Sequence, residues 1–139
     1  MCIRDRIACG AVVTEAMAAH AQLIEDLPGT GLMIVTSPDR LESDWRRSMA
    51  RGQPSQIERL LRDVPGEAGL ITVADAHPAT LSWIGAVGRH RVIPLGVDRF
   101  GQSGDIPDLY RTYGIDADAI VTAAARLVLQ HVVSGFSRT

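Results

Sequence analysis

Polar side chains with chemical potential follow two apolar runs of this 139-residue chain. Asp75 and His77 come directly after the run LITVA, and a carboxylate near an imidazole could act as an acid/base pair. The alternative is that both residues cap the helix predicted after Pro78. Because no nucleophile and no metal-ligand spacing accompanies them, the capping interpretation is favoured.

A second polar segment, the loop GVDRFGQSG at 96–104, follows the apolar run VIPL. Its glycines do not form the dinucleotide-binding pattern, and no phosphate-binding G-K-[ST] sequence is present. Asp98 and Ser103 could hydrogen-bond a ligand or a partner, whereas Phe100 suits packing within the loop. The alternative is that the glycines, Gly101 among them, only satisfy the geometry of a turn.

The positions of both polar segments depend on the strands and helices that flank them. Apolar runs of strand length alternate with segments of helical periodicity along the chain. Continuous apolar runs are typical of strands that are covered on both faces, as in a parallel sheet. The pattern therefore predicts an α/β fold with three layers, α/β/α, and a mostly parallel sheet of four to five strands. The two polar segments would then lie at the carboxyl edge of that sheet, where α/β proteins tend to bind ligands.

Composition sets bounds on the function. Apolar residues make up 46% of the chain and charged residues 22%, as in a globular protein. The net charge of −2 gives no reason to expect nucleic acid or an anionic membrane as a partner. Arginines at 46–62 are interleaved with acidic residues, which indicates a solvated face. No apolar run reaches the length of a membrane span and no signal peptide is evident, so a cytoplasmic protein is predicted.

The other histidines and the cysteines form no cluster in the sequence. His20 and His131 lie on apolar helix faces, and His90, between two arginines, is expected to be solvated. Cys9 lies in an apolar run and is expected to be a small buried residue. The two cysteines make neither a disulfide framework nor a zinc site. The sequence therefore assigns no catalytic, cofactor-binding or metal-binding residue.

The start of the chain, MCIRDR, has neither a helical nor a strand period. Back-translation of this segment resembles a transposase adaptor from a DNA sequencing library. We therefore predict that 1–6 is a non-native leader, that 7–133 is the native domain, and that 134–139 is a flexible tail. On this hypothesis the native domain is the C-terminal part of a longer protein.

The segment VIPLGVDRFGQSGDIPDLYRTYGIDADAIVTAAARL resembles the C-terminal domain of the transketolase superfamily of thiamine-diphosphate enzymes. The pattern G-[IV]-D-R-F-G-x-S, followed by Y-G-I-[DT] and an alanine-rich helix, is fairly specific to that family. IACGAVVTEAMAAHAQL is similar to the family's opening strand and helix, with Cys9 in place of the usual serine. LITVADAHPATLSWIGAVG is similar to the third unit, with Asp75 where transketolases tend to carry glutamate. VTSPDRL is closer to the homodimeric decarboxylating component of pyruvate dehydrogenase than to sugar transketolases.

The resemblance, over about 7–133, implies a mixed five-stranded sheet in which an antiparallel strand usually precedes the segment at Ile7. It implies a homodimeric parent enzyme that holds thiamine diphosphate and magnesium on its preceding domains and passes an acyl group to a lipoyl-carrying acyltransferase. This chain alone would be inactive. The alternatives are the C-terminal domain of a sugar transketolase and a stand-alone, non-catalytic α/β binding or dimerisation module. The candidates for an active-site wall or interface are Asp75, His77, Asp98, Phe100, Gly101 and Ser103.

Overall fold

The structure is a computed structural model that describes residues 3–99 and 103–136, with side chains from Asp5 onward. Its strands and helices alternate along the chain, as the apolar pattern predicts. The elements of the first half are β1 (Ile3–Cys9), α1 (Val13–Asp26), β2 (Gly31–Ile34), α2 (Pro38–Arg51) and α3 (Gln56–Leu60). Those of the second half are β3 (Gly69–Ala74), α4 (Ala79–Ser82), α5 (Ile84–Gly88), β4 (Val92–Leu95), α6 (Ile106–Tyr113) and α7 (Ala117–Phe136).

The four strands form one parallel sheet in the order β2-β1-β3-β4. Every residue of β3 is buried, because this strand has a neighbour on each side and helices on each face. The edge strands β2 and β4 contain only partly buried and exposed residues. The predicted three-layer α/β/α fold with a mostly parallel sheet is confirmed, with four strands in the described part of the chain.

Each face of the sheet has its own apolar core. On one face α1 and α7 pack together, and Ala16, Ala19 and Ile120 are fully buried there. On the other face α3, α4 and α5 contribute Ile57, Leu81 and Ile84 to a second core. The connection from β1 to β2 therefore covers one face of the sheet, and the next two connections, from β2 to β3 and from β3 to β4, cover the other.

The first strand begins earlier than the sequence predicts. The apolar run starts at Ile7, whereas the structure already pairs Asp5 with Gly31 and Arg6 with Leu32 of β2. Strand pairing is made by backbone groups, so polar side chains do not prevent it. Four residues of the predicted leader, 3–6, thus lie in a central strand, and the origin of the leader remains a prediction.

Among the described residues, the stretch Ile106–Phe136 is long and apolar enough to cross a membrane by length and composition, because an 18-residue window within it has a mean hydropathy of 1.4. The expectation that no segment qualifies is wrong by this measure, because a window average tolerates isolated charges. In the structure the stretch comprises two helices, α6 and α7. One face of α7, with Ala123, Ala124 and Leu127, is buried in the core, and this burial accounts for part of the apolar composition.

Candidate functional site

The direction of the connections reverses at the centre of the sheet. The connection after β1 leads through α1 to β2, and the connection after β3 leads through α4 and α5 to β4, on the opposite side. Open α/β sheets bind ligands outside the carboxyl ends of the strands at such a reversal. Cys9, the last residue of β1, is paired with Ala74, the last residue of β3. The next residues, Gly10 and Asp75, therefore meet at the carboxyl edge.

Asp75 packs against the turn that follows β1. Gly10 has a φ of 80°, in the left-handed region that favours glycine, and a Cβ there would overlap Asp75 Oδ1. The backbone N–H of Ala11 donates a hydrogen bond to Asp75 Oδ2 at 3.1 Å. The carboxylate satisfies a free N–H at the start of the helical segment leading into α1, where the helix dipole favours negative charge. Asp75 is thus a capping residue, but for the 3-10 helical turn Gly10–Val12 that leads into α1 and not for the helix after Pro78.

Cys9 is buried beneath this turn, as the sequence predicts. Burial, and to a lesser extent the charge of Asp75, raises the pKa of the Cys9 thiol above its ordinary value of 9.0. The thiol therefore stays protonated at neutral pH and is not an activated nucleophile.

His77 is a capping residue for α4. The backbone N–H of Ala79 donates to His77 Nδ1 at 3.1 Å, as the capping interpretation predicts. The residues Asp75 and His77 are both exposed, and in the described part of the chain each side chain accepts from a different backbone N–H. The geometry therefore corresponds to two caps on two helices and not to an acid/base pair.

The loop after β4 packs closely on the loop after β3. The backbone N–H of Val97 donates to the carbonyl oxygen of Ala76 at 2.8 Å. A Cβ on Gly96 would lie 2.5 Å from the same oxygen and 2.7 Å from the backbone nitrogen of Pro78, so only glycine fits without a shift of the backbone. The β3 and β4 loops are therefore joined at their bases.

The structure describes only some of the predicted loop residues. Asp98 and Ser103 are exposed near the carboxyl edge of β4, while Phe100 and Gly101 lie outside the described residues. Arg99 donates from Nη2 to the carbonyl oxygen of Thr112 at 3.0 Å, which links the loop to α6. Asp75, His77 and Asp98 thus all follow the carboxyl ends of the central and edge strands, as expected from the sequence.

None of the candidate residues lines the larger cavities described. A cavity of about 430 Å³ lies at the opposite, amino edge, beside Gly69 and Arg91, one of about 470 Å³ lies beside Gly52 and Arg59, and one of about 280 Å³ lies beside β2 and Leu41. Within 3–99 and 103–136, no group of three or more His, Cys, Asp or Glu side chains could hold a metal ion. The carboxyl edge offers fixed hydrogen-bonding groups, without an activated nucleophile or a metal site among the described residues.

Sequence reasoning missed the partners of the candidate residues. Gly10 and Gly96 are both in close contact with the loop after β3, and no local pattern in the sequence indicates either contact. The position of Gly10 could have indicated its role. Gly10 lies one residue beyond the end of β1, next to Asp75, which lies one residue beyond the end of β3.

The prediction for His90 is wrong. This residue is only 8% exposed, and its ring Nδ1 is 2.9 Å from the carbonyl oxygen of Ala68, to which it donates. Burial is possible because Gly88 has no side chain: a Cβ there would lie 2.7 Å from His90 Nε2. His90 is therefore a structural residue, as are Asp75 and His77 in their capping contacts.

Comparison with known proteins adds no identification: no protein-family model matches the chain, and no curated protein matches it.

Proposed function

We propose that this chain is the C-terminal-domain part of a thiamine-diphosphate-dependent 2-oxo acid dehydrogenase component, close to the homodimeric decarboxylating component of pyruvate dehydrogenase. The parent enzyme decarboxylates a 2-oxo acid such as pyruvate and passes the acyl group to a lipoyl-carrying acyltransferase in the cytoplasm. This chain forms one wall of an active site that is built mainly by other domains. Alone, it is inactive.

One observation carries the proposal. The residues that resemble the family motif, GVDRFGQS, directly follow β4, and their first residue, Gly96, is one that the packing requires to be glycine. The motif thus begins at the carboxyl edge of the sheet, where a neighbouring domain could use it. The three-layer fold also supports the proposal, since the resemblance implies the same class of fold.

In this proposal the cofactor is held by the preceding domains of the parent enzyme. Thiamine diphosphate supplies a carbon nucleophile and an electron sink when bound in such enzymes. Magnesium needs several oxygen ligands, and no suitable cluster of acidic or histidine side chains exists among the described residues. Asp75 and His77 already serve as helix caps. The chain's contribution is therefore to shape the wall and to orient polar groups.

The experiment that tests this function is extension of the coding DNA upstream of Ile7. We expect a continuous reading frame that encodes a domain with the G-D-G…N motif of thiamine-diphosphate enzymes. Phosphate-binding arginine and histidine residues in the upstream domains would instead indicate a sugar transketolase. A stop codon and ribosome-binding site immediately upstream would contradict the proposal and favour the stand-alone module.

A second test concerns the wall itself. In the full-length enzyme, Asp98→Ala and Ser103→Ala should change the Michaelis constant, the turnover or the dimer stability. Arg62→Ala, an exposed position on the opposite helical layer, is the control and should change none of them. Unchanged kinetics and dimerisation in both loop variants would contradict the assignment of the wall.

A further inference from the structure

We infer that Gly96 is a positioning residue for His77: close packing of the β4 loop on the bend Ala76–Pro78 fixes the imidazole with its proton on Nε2, so that His77 presents a single N–H donor at the carboxyl edge. Gly96 follows β4, whereas His77, the residue that it orients, follows β3. Neither the acid/base nor the capping interpretation of His77 includes this contact.

The first step is the contact between the two loops. Ala76 O accepts the backbone N–H of Val97 at 2.8 Å, and this bond requires the chain at Gly96 to pass directly over the bend. An added Cβ at Gly96 would lie 2.5 Å from that oxygen and 2.9 Å from Pro78 Cδ. Since Cβ atoms do not approach backbone atoms so closely, any side chain at this position separates the loops.

The second step is the effect on His77, which lies between Ala76 and Pro78. Its carbonyl oxygen accepts the backbone N–H of Thr80 at 2.9 Å, so the backbone of the bend is fixed on both sides of the ring. Its Nδ1 accepts the backbone N–H of Ala79 at 3.1 Å. A shift of Ala76 and Pro78 would therefore move the imidazole away from the N–H that it caps.

The third step is the position of the ring proton. A ring nitrogen that accepts a hydrogen bond carries no proton, so the neutral imidazole has its proton on Nε2. His77 is exposed, and Nε2–H is a donor that an incoming acceptor oxygen can meet. In the proposed function, on which this last step rests, the matching acceptor is a carbonyl or carboxylate oxygen of a 2-oxo acid or of a neighbouring domain.

The test uses the 139-residue chain and does not depend on the parent enzyme. Long-range proton–nitrogen correlation spectra at about pH 8, where an ordinary histidine is neutral, report which nitrogen of each ring is protonated. The signals of His77 are identified by their loss in His77→Gln. We expect His77 to show a single tautomer with the proton on Nε2.

The variant Gly96→Ala should replace that pattern with averaged signals from both tautomers, and the Val97 amide should exchange with solvent at least about tenfold faster. Gly104→Ala is the matched control, because a Cβ at Gly104 meets nothing within 4 Å. It should leave both measurements unchanged.

A proton on Nδ1 in the unmodified chain would overturn the inference, and so would an unchanged His77 tautomer in folded Gly96→Ala. If Gly96→Ala does not fold, exchange in the unmodified chain decides: a Val97 amide no better protected than that of Asp98 would contradict the fixed contact. None of these outcomes affects the upstream DNA test of the proposed function. Failure of this inference can therefore be distinguished from failure of the proposed function.

Discussion

Asp75, which directly follows β3, and Arg6, which lies in β1, are both charged residues, and their environments are opposite. Asp75 is exposed at the carboxyl edge, and its carboxylate accepts the Ala11 N–H. Arg6 is fully buried within β1, under α1. Its Nη2 contacts His20 Nδ1 and donates to Thr30 Oγ1 at 3.1 Å, but Nε and Nη1 have no hydrogen-bond partner among the described residues.

The difference shows where a charged side chain stabilises this fold and where it destabilises it. At the carboxyl edge, a carboxylate complements free N–H groups at a helix start and remains in contact with water. In the core, a guanidinium loses its hydration and regains only part of its hydrogen bonds. Burial accordingly lowers the pKa of Arg6, although the nearby Asp5 partly opposes this change. Position 6 is therefore expected to weaken the fold, whereas Asp75 stabilises it.

The largest effect should come from breaking the carboxyl-edge contact. Gly10→Ala places a Cβ against Asp75 and imposes a left-handed φ on alanine, so we expect a loss of roughly 3 kcal/mol in the free energy of unfolding. Urea unfolding, followed by the fluorescence of the stacked Trp45 and Trp83, measures it.

Gly29→Ala is the matched control for that variant. Gly29 has a φ of 89°, but a Cβ there meets nothing within 4 Å, so the loss should be only about 1 kcal/mol, from backbone strain alone. In an Asp75→Ala background, Gly10→Ala should cost no more than the control. Equal losses for Gly10→Ala in both backgrounds would show that the contact with Asp75 has no energetic role.

The comparison also separates what sequence can predict from what it cannot. Strand β3 was predictable because a continuous apolar run is itself the signature of a strand buried on both faces. The contact of Gly10 with Asp75 was not, since it depends on β1 and β3 being neighbours, which no local pattern specifies. The burial of His90 likewise depends on packing, because its ring occupies the space that a side chain at position 88 would fill. Residues that follow strand ends were found, and their partners on other strands were missed.

The next largest effect should be a gain in stability at position 6. Arg6→Leu removes a buried, partly unsatisfied charge and should stabilise the fold by about 2 kcal/mol in urea unfolding. Arg62→Leu, at an exposed position, should change stability by less than about 0.5 kcal/mol. A loss of stability in Arg6→Leu would mean that the bonds to Thr30 and Gly31 outweigh the cost of burying the guanidinium.

A smaller gain is expected at Thr72, in the centre of β3. Its hydroxyl is buried and has no hydrogen-bond partner among the described residues. Thr72→Val keeps the shape and removes the unsatisfied group, so the free energy of unfolding should rise by about 1 kcal/mol. Thr30→Val is the control with the opposite sign, because the Thr30 hydroxyl accepts from Arg6. A loss of stability in Thr72→Val would indicate that its hydroxyl is satisfied in solution.

The smallest effect should be a pH dependence of stability that comes from His20 and to which Arg6 contributes. Burial, and then the positive charge of Arg6, lowers the pKa of His20 below its ordinary value of 6.5. The unfolded chain therefore binds a proton on His20 more readily than the folded chain. Stability should be unaffected well above pH 6.5 and should fall as the pH drops through that value.

Unfolding free energies at about pH 7.5 and about pH 5.5 test this dependence within the range where histidine titrates. Hydrogen bonds from the Ser55 backbone and hydroxyl lower the pKa of Glu58, so its stabilising effect is lost only below its ordinary value of 4.5, outside this range. His20→Gln keeps an acceptor for Arg6 but cannot be protonated, and it should remove part of the loss at the lower pH. Arg6→Leu should also reduce the part of the stability loss that comes from His20. The reason is that protonated His20 is no longer repelled by a positive charge at position 6. An identical loss in the unmodified chain and in Arg6→Leu would mean that the charge at position 6 does not affect His20, and the contrast between Arg6 and Asp75 would then rest on hydrogen bonding alone.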